Sequence, residues 1–509
     1  MEHDVDVIVV GGGHNGLTCA AYLAEAGQRV LVLEGRDIVG GNTVTEELTL
    51  PGWRHDSCSS AHVVIQSNPM LLHDELGLKS RYGLTYLVTD PAVVLPVEGG
   101  DALIIHPDVE ATAANIARYS EADAVALRQM MADWHGGLKV AHAYVQAGLE
   151  PPDTPSTAAY MALRQRSAWD VVMTTFEHPL TQRALMWMSF ATIQPPTRPG
   201  TGALPAAIVA GRLGFGWTTP VGGSDALPKA LVAHLEDHGG SVVTGAWVSQ
   251  YLVEDGRCVG VRCADGRTFR AAKAVVAGSH LATIPSALDV ETSLTEAAQR
   301  WRPGLSVFAV HFALRDHPTY RSADGPMVAV AGGLGSPEGL ILQVNAALEG
   351  ECDLTSPWLL MVDSTVVDPD RAPGAVFKFL TIAPELYQGA PWTSEQAEAY
   401  ADELVRFARR HITGLEEENV LARRVESPTT IAAHNGANIG GSCHGGEFHL
   451  DDGTIIPGWL DVRTDVAGLY LTGSTSHPGG SVSGRPGRNA ARELLKDLLG
   501  DASSVMTTP

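Results

Sequence analysis

Asp6-Val-Ile-Val-Val-Gly11-Gly-Gly-His-Asn-Gly16-Leu, followed by Arg29-Val-Leu-Val-Leu-Glu34, decides the fold. An apolar run ends in glycines. Leu17, Ala20, Ala21, Leu23 and Ala24 then recur at helical spacing, and Gly27 stops that helix. A second apolar run ends on an acid. This is strand–helix–strand, and Gly11, Gly13 and Gly16 form GxGxxG at its first turn. Gly11 permits the tight turn, Gly13 lets backbone approach a pyrophosphate, and Gly16 lets helix and strand pack closely. The helix start offers free N–H groups and partial positive charge to phosphates. Glu34 is placed to accept hydrogen bonds from ribose hydroxyls. The motif predicts a Rossmann-type dinucleotide domain.

Glu34 serves the ribose of FAD or NAD equally. FAD is favoured because Gly40-Gly41 gives backbone room beside a long dinucleotide, and because the fingerprint does not recur. Gly214-Phe-Gly216 has Thr219 in place of a third glycine, and Gly333-Leu-Gly335 has Glu338 there. The 35 Lys+Arg against 58 Asp+Glu give a formal charge of −23. Such a surface repels phosphate backbones, so nucleic acid is not an expected partner. No stretch is long and apolar enough to span a bilayer. The acidic start Met1–Asp4 does not read as a signal peptide, and a cytoplasmic location is expected. The six cysteines form no CxxC pair, so neither a disulfide reductase nor a zinc site is expected, and no metal-ligand spacing appears. They read as scattered buried thiols.

From Met70 to Leu213 the pattern is mostly helical, with a Pro-rich loop at 151–155. Ser224–Glu236 reads as an amphipathic helix. Val248–Val253 and Cys258–Arg262 read as a meander whose turns are Asp255-Gly256 and Asp265-Gly266. Phe308–Leu314, Leu359–Asp363 and Val376–Ala383 read as strands and Glu395–His411 as a helix. Leu469–Thr472 is a last strand and Arg488–Leu499 a last helix.

Gly11-Gly-Gly-His-Asn-Gly-Leu-Thr with Glu34-Gly-Arg and Gly40-Gly41 resembles the phytoene-desaturase-like FAD-dependent oxidoreductases. These include carotenoid desaturases, carotenoid isomerases and retinol saturases. The resemblance is strongest to the branch called pyridine nucleotide-disulfide oxidoreductase domain-containing protein 2, which has no redox dithiol. Pro220-Val-Gly-Gly-Ser-Asp-Ala-Leu-Pro is similar to the family's glycine-rich helix start. Leu469-Tyr-Leu-Thr-Gly-Ser-Thr-Ser-His-Pro-Gly-Gly-Ser-Val-Ser-Gly is similar to its C-terminal flavin motif.

The resemblance implies an α/β fold: a Rossmann-type FAD-binding domain of the glutathione-reductase-like, amine-oxidase and phytoene-desaturase type, with an inserted α+β substrate domain. Residues 1–75, 215–300 and 425–509 would form the first, and 76–214 with 301–424 the second. It also implies that Gly11, Gly13, Gly16 and Glu34 hold the adenosine diphosphate half. Gly40, Gly41 and Asn42 would lie near the pyrophosphate and flavin, and Val248 would meet the adenine through its backbone. Gly473 and Ser474 would line the ribityl chain, and Gly480, Ser481 and Val482 would touch the isoalloxazine. His14, Asn15, Gly35, Arg36, Thr43 and Gly278 complete the expected site. Two departures point away from a carotenoid substrate, not from the flavin: Asn42 replaces the Arg of many relatives, and Ser483-Gly484 lacks the proline usual in carotenoid desaturases. Hydride arrival at flavin N5 puts negative charge on the N1–C2 carbonyl side, which backbone N–H groups at the final helix start can receive.

His62, His434, His444 and His477 lie near the expected flavin segments and are candidate bases. His477, inside the C-terminal motif, leads, and His62 comes next. The expected reaction is desaturation of a small apolar or aromatic molecule, with electrons passing to oxygen, a quinone or another acceptor. Amine oxidation, isomerisation by reduced flavin and non-catalytic binding of the Rab GDP-dissociation-inhibitor kind are the alternatives. Homo-oligomerisation is left open.

Overall fold

The computed structural model describes residues 5–97, 99–447 and 461–500. The acidic start at Met1–Asp4 and parts of the expected 425–509 segment lie outside the described residues.

Two seven-stranded sheets organise the chain. The core of the first is parallel. Val5–Val10 lies between Val30–Leu33 and Thr268–Ala277, with Ser241–Val243 and Leu469–Leu471 outside these. Parallel strands covered on both faces need continuous apolar runs, which is what Val7–Val10 and Val30–Leu33 supply. The helices His14–Glu25, Ala226–Asp237 and Arg485–Leu499 bury their apolar stripes on this sheet. The two ends of the chain therefore lie side by side.

Thr268–Ala277 serves twice. Its first residues close an antiparallel meander with Arg257–Cys263 and Val248–Glu254, and its last residues enter the parallel core. Asp255 and Gly256 both have positive φ, +48° and +76°, as a two-residue hairpin turn requires.

The second sheet runs Val420–Glu426, Ser306–Leu314, Ala375–Ala383, Leu359–Asp363, Ala331–Leu334, Val93–Pro96, Ala102–Ile105. Helices drawn from residues 109–215 pack on it around Phe190, Trp187 and Trp358. The mostly helical reading of Met70–Leu213 holds, but it missed the hairpin Val93–Pro96/Ala102–Ile105 and Tyr86–Thr89, which pairs with Trp217–Pro220. The final helix begins at Arg485, three residues before the expected Arg488. Among the described residues no helix is long and apolar enough to cross a membrane.

Candidate active site

A cavity of about 1250 Å³ runs from the first sheet's C-terminal edge to the face of the second sheet. That exceeds the roughly 300–1,000 Å³ of a single small-ligand pocket, so a long dinucleotide and a second molecule both have room.

At the dinucleotide end the fingerprint is tightly built. A Cβ on Gly16 would lie 2.1 Å from the Gly11 carbonyl oxygen, and Gly11 has φ +99°. Gly13 faces open space, where a Cβ would meet only the Gly41 Cα at 3.9 Å. Gly13 is also the N-cap of His14–Glu25, and no side chain caps that helix. Its free N–H groups open onto the cavity. Beside them Asn15 Oδ1 is buried without a hydrogen-bond partner. Glu34 ties the loop to the next strand, its Oε2 accepting from the Gly12 N–H at 2.7 Å and its Oε1 from the Arg36 N–H at 2.8 Å. Gly35, Arg36, Gly40, Gly41 and Val248 continue the wall.

The C-terminal segment completes the cavity. Gly278 donates to the Val10 carbonyl at 2.7 Å, and a Cβ on Gly473 would lie 3.0 Å from the Gly278 oxygen. Ser474, Gly480, Ser481, Val482 and Ser483 also line it. A Cβ on Gly480 would lie 2.2 Å from the His444 oxygen. Gly484, at φ +64°, precedes the final helix, whose first N–H, that of Arg485, donates to Ser483 Oγ at 3.3 Å and whose second residue is Pro486.

His14 joins the two ends. Its Nε2 donates to the Ser481 carbonyl at 3.2 Å, so its Nδ1 must accept from the Thr43 hydroxyl at 3.0 Å. Burial pushes its pKa down to about 4, which keeps the ring neutral. The bond also anchors Ser481, a non-glycine residue at φ +85°.

The lining thus brings together all nineteen of the expected cofactor residues. Asn42 behaves differently from the expectation. Its amide is spent on protein: it donates to Asn438 Oδ1 at 2.7 Å and the Cys443 carbonyl at 3.2 Å, and accepts from Asn435 at 2.8 Å. On the cavity wall it fastens the 435–443 loop, whose Asn435, Gly436, Ala437 and Cys443 line the cavity with it.

The two leading histidines are placed off the cavity wall. His477 donates from Nε2 to the Val145 carbonyl at 2.6 Å. His62 is fully buried between the Tyr86 hydroxyl and Ser224 Oγ, both at 3.2 Å, and burial pushes its pKa down to about 3. Both are spent on packing polar segments. His434 sits between Glu46 at 3.1 Å and Glu426 at 3.5 Å, which raise its pKa to about 9. Of the four candidates, His444 lines the cavity, with its Nδ1 3.4 Å from Cys443 Sγ and its pKa pushed down by burial to about 4.

Several cavity residues escaped the sequence reading. Lys378 is buried in Ala375–Ala383 and donates to the carbonyls of Cys58 at 2.6 Å and of Ser57 and Asp56 at 3.2 Å. A lone lysine inside Ala-Val-Phe-Lys-Phe-Leu was the available signal. Cys58 and Cys443 are not scattered thiols. Both line the cavity wall as neighbours, and their interaction lowers the pKa of Cys58 and raises that of Cys443.

The His434 pair gives a pH dependence. A histidine whose folded pKa exceeds its unfolded value stabilises fully below about 6.5 and loses that contribution as pH rises through about 9. Denaturation at pH 6.5 and 9.5 should show a loss on the order of 2–3 kcal/mol, largely removed in His434→Gln. An unchanged slope in that variant would contradict the assignment.

The comparisons agree with this geometry. The model of the family "Flavin containing amine oxidoreductase" matches residues 16–357. The chain is similar to a limonene dehydrogenase polypeptide of Castellaniella defragrans, 26% identical over 97% of this chain and 95% of that one. It is 26% identical to mouse (Mus musculus) pyridine nucleotide-disulfide oxidoreductase domain-containing protein 2, covering 98% of this chain and 94% of that one. Cyclohexylamine oxidase from Brevibacterium oxydans has the same fold, with a TM-score of 0.58 and 16% identity over 97% and 99% of the two chains.

Proposed function

The chain belongs to the flavin-containing amine oxidoreductases, FAD-dependent enzymes, and from that membership we propose that it desaturates a largely apolar small molecule, removing hydride from one carbon and a proton from its neighbour. The observation that carries this reading is the charge of the cavity wall. Among the described residues Glu34, at the ribose end, is the single carboxylate on it, against Arg36, Lys139, Arg212, Lys378 and Arg485. A cationic amine would find no counter-charge beside the aromatic walls of Phe215, Trp217 and Trp358. A neutral or anionic substrate fits them. The limonene dehydrogenase polypeptide and the phytoene desaturase of Paracoccus to which the chain is similar carry names of the same kind of reaction.

Bound in the cavity, FAD supplies a two-electron acceptor for hydride. The chain's residues do the rest. We assign the pyrophosphate to the open helix start at Gly13–Gly16, the ribose to Glu34, and the flavin ring to the Gly480–Ser483 turn. The Arg485 guanidinium, which also lines the cavity, would place positive charge near that turn. Leu360, Val362 and Leu380, on the cavity wall, would exclude water from the substrate. Lys378 fixes the Asp56–Cys58 backbone that forms one edge of this pocket. The uncharged His444 imidazole is the proton acceptor we assign on the wall. We divide the chain as 1–75, 215–300 and 425–509 for the cofactor, and 76–214 with 301–424 for the substrate. The free cysteines suit a reducing, cytoplasmic compartment.

Anaerobic mixing of the yellow holoprotein with a panel of apolar alkenes and acids tests the proposal. Bleaching of the flavin absorbance with formation of a new C=C bond is the expected result. Bleaching by primary amines alone would replace it with C–N oxidation. Turnover only after dithionite reduction would replace it with isomerisation.

A further inference from the structure

We infer that the substrate carries a carboxylate, received by Arg212 at the end of the helix Leu204–Phe215 and by its neighbour Trp217. The inference rests on the reading of the cavity as a flavin enzyme's substrate site, and deepens it.

Arg212 lines the cavity and is only 7% exposed. Its Nη1 is buried without a hydrogen-bond partner, and no carboxylate among the described residues forms an ion pair with it. Its one specific contact is with the Trp217 ring, 4.4 Å from guanidinium carbon to centroid. Burial alone pushes its pKa down to about 10, still far above neutrality, so it remains a cation. The other buried arginines differ. Arg371 pairs with two aspartates, Arg488 with Glu75, and Arg485 donates to the Ser67 carbonyl.

Trp217 strengthens the reading. It is 1% exposed, lines the same cavity, and its Nε1–H is also without a partner. An indole N–H and a guanidinium can only donate. Two stacked, buried donors without an acceptor are costly unless a ligand supplies one. The ligand must then be acceptor-rich, and a carboxylate matches the guanidinium fork in charge and geometry. The cavity's apolar walls at Ile208, Trp358 and Leu360 would take the rest of the molecule. The substrate class is therefore an apolar or aromatic monocarboxylic acid. The cofactor's own phosphates are the rival anion, but the helix start at Gly13–Gly16, to which we assign them, lies on the first sheet. Arg212 belongs instead to the helical layer, where Gly211 packs on Val63.

The test is calorimetric titration of the holoprotein with cinnamate, phenylacetate and 4-phenylbutyrate, each against its isosteric alcohol. At least one acid should bind ten or more times tighter than its alcohol. Arg212→Met should abolish that preference at unchanged flavin content, and Arg212→Lys should keep part of it. Equal affinities throughout, or a preference that survives Arg212→Met, would overturn the inference. So would loss of flavin from Arg212→Met, which would make Arg212 a phosphate ligand. Should that variant not fold, the acid-against-alcohol comparison in the unmodified protein decides. Flavin absorbance reports separately on the oxidoreductase reading: a colourless protein that still prefers acids would sink that reading and spare the arginine.

Discussion

Valine at Gly13 should leave the protein folded and empty it of flavin. Gly13 has φ −68° and ψ 162°, an extended conformation that valine adopts freely. Within the protein a Cβ there meets nothing closer than Gly41 Cα at 3.9 Å. The space it would fill is the one assigned to the pyrophosphate. Gly13→Val is therefore expected to weaken FAD at least a hundredfold, about 2.7 kcal/mol, with the urea midpoint of the apoprotein within experimental error of the parent's. Alanine at Gly16 is the contrast. There the new Cβ lies 2.1 Å from the Gly11 oxygen, so fold and flavin should fail together. Flavin-to-protein ratio and denaturation midpoint, measured on both variants, separate the two cases. A yellow Gly13→Val protein with the parent's affinity would contradict the site.

The largest loss of stability is expected at Arg371. Its side chain is wholly buried and pairs with Asp56 at 2.7 Å and Asp368 at 2.8 Å. It also donates to the Pro220 carbonyl at 3.2 Å. Asp56 accepts from the Ser224 N–H, and Asp368 from the Gly222 N–H, both at 2.8 Å. One guanidinium thus joins the Thr45–Asp56 hairpin region, the 220–224 turn and the loop before Ala375–Ala383. Arg371→Met would leave two buried carboxylates without their cation, a cost of about 3–5 kcal/mol. Urea denaturation should show it as a lowered midpoint or as loss of soluble protein. Arg371→Lys keeps the charge without the fork and should fall between. A midpoint equal to the parent's in Arg371→Met would show that the network is not what holds these segments together.

The cofactor half of the fold was legible because its signals are local. Gly16 answers a contact five residues back, at Gly11, and the runs Val7–Val10 and Val30–Leu33 are apolar throughout because both faces are covered. The C-terminal segment was legible through its glycine density. The hairpin at 93–105 was hidden because Pro91 and Pro96 bracket its first strand, although Gly99-Gly100 marks its turn. The final helix starts early because Pro486 suits a first turn, a preference that Gly484 and Gly487 masked. The catalytic histidines were the weakest reading. Proximity in sequence to a flavin motif does not say which way a ring points, and His477 turns toward Val145. The carbonyls that hold Lys378, and the approach of Cys58 to Cys443, bring together segments more than 300 residues apart, which no local pattern encodes.

Hydrogen–deuterium exchange on the apoprotein with and without FAD tests most directly whether both chain ends close on one cofactor. Slowed exchange should appear together at residues 11–17, 40–43 and 473–485, at the same FAD concentration. Protection confined to the N-terminal segment, with 473–485 unchanged at saturation, would contradict the account.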